Sequence, residues 1–180
     1  MNASDFVKEL SASAPSFESL RGIGLNDSEA ELFRAGYICP PRSSLSTPTV
    51  VDEMLDLASR WDVSKVEIGM VRLSGTPSSY QGRGTQVGLV EADPLVILNT
   101  ESELVVEETG TPGHVLWKAA RSSGQFLDAL ALAAKFLSER TVGAVDFDDV
   151  ESAKTIASMC AERAGGDPYA GFYLMLLGAE

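Results

Sequence analysis

The chain is poor in the side chains that perform chemistry. It holds one histidine, His114, and two cysteines, Cys39 and Cys160, among 180 residues. The cysteines lie far apart and the histidine has no second histidine, so spacing offers neither a zinc site nor a redox pair. No apolar run approaches the ~20 residues that span a bilayer. The opening residues MNASDFVKELSASAP carry Asp5 and Glu9 and no basic start followed by an apolar stretch, which argues against a secretory signal. With few cysteines and no such signal, a reduced cytoplasmic protein is expected. The glycine-rich stretch Gly82-Arg83-Gly84-Thr85-Gln86-Val87-Gly88 is not a phosphate loop. It has no lysine before Ser or Thr and leads into a strand pattern.

Positive charge is also scarce. Lysine and arginine number 14 against 26 acidic residues, a formal net charge of -12. Residues 1–90 carry 8 basic and 11 acidic side chains; residues 91–180 carry 6 and 15. A field of this sign repels nucleic acid and anionic membrane and attracts basic proteins. Acidity also serves plain solubility.

What is present reads as an α+β chain with no repeat and no low-complexity linker, hence a single domain over residues 1–180. The N-terminal third is helical: Ser4 to Leu10, then a helix over SEAELFRA opened by the capping-box pair Asn26 and Glu29 and stopped at Gly36. Pro40 and Pro41 break the chain. Thr47 and Pro48 read as the start of a third helix, whose stripe includes Met54, Leu55, Ala58 and Trp61.

The middle third is β. KVEIGMVRL, TQVGLVE, PLVILN, ELVVEE and HVLWKA are short and rich in Val, Leu and Ile, with the turn-rich SGTPSSYQGRG after the first. The spacings are too short for parallel crossovers, so an antiparallel meander is predicted. Its clearest hairpin turns at Thr100-Glu101-Ser102, and its apolar residues around Leu98 and Leu104 should face the helix near Phe126. The last third is helical again. Ser122 and Gln125 open a helix with Phe126, Leu127, Leu130, Ala134 and Leu137 on its buried stripe. Asp148 and Glu151 open the next, and Asp167-Pro168 leads into YAGFYLMLLG. The predicted fold is thus an antiparallel meander sheet packed on C-terminal helices, preceded by a helical N-terminal segment.

The stretch VGLVEADPLVILNTESELVVEETGTPGHVLWKAARSSGQFLDALALAA resembles the core of the SUKH superfamily. That core has a strand, a hairpin with a short polar turn, a further strand, and a Ser-capped helix with Phe near its start. The segment CAERAGGDPYAGFYLMLLG is similar to the tails of some bacterial members. The resemblance implies a non-enzymatic domain that works by binding proteins. In the bacterial branch it implies an immunity protein that neutralises a nuclease or deaminase toxin. An acidic inhibitor suits the basic substrate groove of such a toxin. An intracellular scaffold of the same fold without a toxin partner, or a small enzyme with a dispersed site, are the alternatives.

Candidate residues follow from charge and residue type. Glu101, Glu103, Glu107 and Glu108 sit on or near the hairpin. They read either as a solvated, aggregation-resistant sheet edge or as an acidic face for a basic partner. Tyr80 and Arg83, on the glycine-rich connection, are residue types favoured at interfaces. Asp146, Asp148, Asp149 and Glu151 lack the glycine and loop of a calcium site and suit a helix N-terminus. No catalytic residue, metal or cofactor is expected.

Overall fold

The computed structural model describes residues 1–43 and 52–179. Seven helices and six strands follow in the order α1 (Ala3–Ala12), α2 (Phe17–Gly22), α3 (Asp27–Ala35), α4 (Glu53–Arg60), β1 (Glu67–Ile68), β2 (Val71–Tyr80), β3 (Gly84–Val90), β4 (Asp93–Leu98), β5 (Leu104–Glu107), β6 (Val115–Ala120), α5 (Ser123–Thr141), α6 (Val150–Ala164) and α7 (Ala170–Leu177). A short 3-10 turn over Asp167–Tyr169 precedes α7.

Helix starts are set by short polar side chains that accept orphan backbone N–H groups. Asn2, Ser16, Asn26, Asp52, Ser122 and Asp149 each do so. Asn26 and Glu29 form the full reciprocal capping box that the sequence predicts, and α3 ends at Gly36. The start expected at Thr47 and Pro48 lies outside the described residues; the helix carrying Met54, Leu57 and Ala58 on its buried side begins at Glu53 under the Asp52 cap. The α6 cap is Asp149 rather than Asp148, because the Asp149 carboxylate receives both the amide and the hydroxyl of Ser152. The helix α2, capped by Ser16, was not foreseen.

The sheet is a six-stranded antiparallel meander in sequence order. One expectation needs correcting. SGTPSSY is not a loop but the second half of β2, which pairs with β3 up to Tyr80 opposite Gly84, with a break in register between Leu73 and Ser78. Ser74 to Pro77 bulge out of the ladder, so the proline needs no ladder bond, and Ser78 to Tyr80 rejoin it. Of the glycines beyond it, Gly82 serves the turn with its positive φ, whereas Gly84 and Gly88 have a packing role. A Cβ on Gly84 would stand 2.1 Å from the Ile97 carbonyl, and one on Gly88 would stand 2.5 Å from that of Arg72.

The helices cover one face of the sheet. Parity along the strands sends Val71, Leu73, Val87, Leu95, Ile97, Leu104 and Val106 into the same core as Phe126, Leu127 and Leu130 of α5. Within the set expected to face α5, Leu98 is the member that turns away. It belongs with Tyr80, Val96 and Val105 in a small cluster of its own, and Ile97 takes the place facing α5. Along α5, Ala129, Ala133 and Ala134 are fully buried, as are Ala153, Cys160 and Ala164 of α6. Small side chains of this kind let two helices approach closely. Phe172 of α7 lies 6.4 Å from the Phe126 ring and 5.0 Å from that of Tyr173. The Tyr173 hydroxyl donates to the Ala119 carbonyl on β6.

Phe126 therefore joins sheet, α5 and α7. Truncation to alanine should cost about 3–5 kcal/mol through the cavity it leaves, read as a shift of the chemical denaturation midpoint. A loss under about 1 kcal/mol would place α5 outside this packing.

Candidate protein-binding surface

The four hairpin glutamates do not form one acidic face. Odd positions of β5 alternate away from the helices, and there Glu103 and Glu107 are buried, Glu107 with no exposure at all. The carboxylate of Glu107 accepts from Arg83 at 2.9 Å and from the Gly113 amide at 2.8 Å. That of Glu103 accepts from Lys118 at 3.1 Å and from the Tyr169 hydroxyl at 2.9 Å. The hydrogen bond to Glu103 raises the Lys118 ammonium above the usual lysine range, and burial, then the same carboxylate, raises the Tyr169 phenol. Buried carboxylates need such partners, since an unpaired one is costly. The expectation that these two are solvated edge charges is corrected on that ground.

Glu101 is exposed and Glu108 half-exposed, but they lie at opposite ends of the β4–β5 hairpin, roughly 20 Å apart by strand rise. Glu108 bonds His114 Nδ1 at 2.9 Å. That bond first, with one from Thr111, holds its carboxyl below the usual range. Tyr80 and Arg83 are also not a loop pair offered to solvent. Tyr80 closes β2 and is buried against Val96 and Val105. Arg83 is in the turn, half-exposed, with its guanidinium turned to Glu107.

The cysteines are buried, and burial pushes both thiols up to about 12, far from the thiolate a nucleophile needs. Among the described residues no three His, Cys, Asp or Glu side chains gather as metal ligands, and no helix is long and apolar enough to cross a membrane.

The feature not legible in the sequence is the fate of the cations. Lys8, Arg21, Arg60, Arg83, Lys118, Lys135, Lys154 and Arg163 pair with carboxylates. Arg42, Arg72, Arg121 and Arg140 donate to backbone carbonyls that are distant in sequence or close strand and helix ends. Arg34 donates to the Pro15 carbonyl and stacks on Phe17. Among the described residues Lys65 alone of the lysines and arginines has neither kind of partner. Exposed carboxylates such as Glu9, Glu18, Glu31, Glu67, Glu91, Glu101, Asp146, Asp148 and Glu162 carry no counter-ion from this chain. The excess of exposed carboxylates makes the outward field negative.

No protein-family model, no curated protein and no solved structure matches the chain.

Charge reversal separates the buried and exposed glutamates. Glu107→Lys should cost at least about 3 kcal/mol, because it sets an ammonium beside Arg83 in a site without solvent. Glu101→Lys should stay within about 0.5 kcal/mol. Urea denaturation of the two variants checks this, and equal stabilities would contradict the pairing.

Proposed function

We propose that this chain is a non-enzymatic binding protein for a basic protein partner. The toxin-neutralising role implied by its resemblance to SUKH immunity proteins is the form of that function we favour. The observation that carries the reading is the distribution of charge. Most of the chain's cations pair with its own carboxylates or carbonyls, many of them at the surface, and an excess of exposed carboxylates is left to meet a partner. Nuclease and deaminase domains present basic substrate grooves, and blocking such a groove with an acidic surface requires no catalytic group. The burial of both thiols and the pairing of His114 with Glu108 fit a protein whose side chains serve structure and contact.

The test is co-expression with the product of the adjacent gene. A 1:1 complex on gel filtration, together with restored growth of cells that the neighbour alone arrests, is the expected result. A neighbour that is acidic, or that elutes separately and stays toxic, would contradict the reading.

A further inference from the structure

Three hollows adjoin one another along the side of the molecule where α3 meets the sheet and α5. The first, about 310 Å³, lies between α2 and α3 and is walled by Phe17, Arg34, Ile38 and Lys65. The second, about 650 Å³, is walled by Leu32, Phe33, Tyr37, Glu67 and Leu137. The third, about 260 Å³, runs on past Met70, Phe147 and Met175. Ala35 and Lys65 belong to both the first and the second; Leu137 and Thr141 belong to both the second and the third. The hollows exist because α3 docks lightly: of its own side chains only Ala30 is buried.

Two observations give this groove an occupant. Leu32 stands over the second hollow and Phe147 over the third, and they are 76% and 73% exposed, more than any other large apolar side chain among the described residues. A single exposed leucine is ordinary, but exposed apolar groups along a continuous groove mark a binding surface. The second observation is charge. Glu31 adjoins Leu32, Glu67 is in the wall, and Asp146 and Asp148 flank Phe147 in sequence; all four are exposed and none meets a lysine or arginine. With Asp62 in the first hollow the acids along the groove number five, against the three cations Arg34, Lys65 and Arg140; Arg34 and Arg140 are anchored on backbone carbonyls and keep their charge, so the groove is net acidic.

The geometry points to a docking groove, from Leu32 to Phe147, for an amphipathic segment of a protein partner with an apolar face and lysine or arginine along its edges. Apolar side chains at helical spacing would fill the hollows while the edge cations meet Glu31, Glu67, Asp146 and Asp148. The inference rests on the basic-partner reading and gives it a location, away from the β4–β5 hairpin.

The probe is a fluorescein-labelled leucine–lysine peptide of about four helical turns, with a leucine–glutamate peptide of the same pattern beside it. Binding to the full chain is read by anisotropy. The lysine peptide should bind at least about tenfold more tightly than the glutamate peptide. Leu32→Ser and Phe147→Ser, both surface changes verified as folded by circular dichroism, should each weaken it about tenfold. Glu101→Lys, at the hairpin tip, should change it by about twofold or less. If the lysine peptide binds both serine variants as tightly as the parent, the groove is wrong while the basic-partner reading stands. Equal affinity for the two peptides overturns both. No binding of the lysine peptide overturns the groove outright.

Discussion

The structure depends on how it spends a small stock of cations. Arg42, just after the two prolines, joins that segment to Trp61 and Gly75, Arg72 ties β2 to the β3–β4 turn, and Arg121 closes the end of α6 onto β6. Arg140 gathers the ends of α5 and α7 with the Phe147 loop. A guanidinium suits these tasks because its planar fork serves several carbonyls at once. Each guanidinium keeps its charge where it bonds a neutral carbonyl, but the exposed carboxylates outnumber the cations, and the molecule faces its surroundings as a polyanion.

The sheet imposes the second constraint. Its interior strands β4 and β5 are apolar at consecutive positions, Leu95-Val96-Ile97 and Leu104-Val105-Val106, and are buried on both faces. One face is satisfied by α5. The other is filled by Tyr80 and Leu98 and bordered by the pairs of Arg83 with Glu107 and Lys118 with Glu103. The ion pairs there hold two carboxylates that could not otherwise enter an apolar setting. Residues that by type suit a binding face are thus used to finish the sheet, and the free surface lies elsewhere.

Local chemistry was legible in the sequence wherever it acts over a few residues. Asn26 with Glu29 announced α3, Ser122 announced α5, and the short connections announced the meander. What was not legible depends on partners far along the chain. SGTPSSY has the composition of a turn, yet pairing with Thr85 and Gln86 draws it into β2. Glu103 and Glu107 look like surface charges until Lys118 and Arg83 arrive from 15 and 24 residues away. Leu32 looks like an ordinary member of an amphipathic helix, and only the light docking of α3 leaves it bare beside a groove.

If an outward acidic field recruits a basic partner, as proposed, the association rate will report it. For the complex with the adjacent gene's product, that rate should fall by at least about tenfold between about 0.05 M and about 0.5 M salt, while dissociation changes far less. A rate that stays flat over that range would contradict the claim.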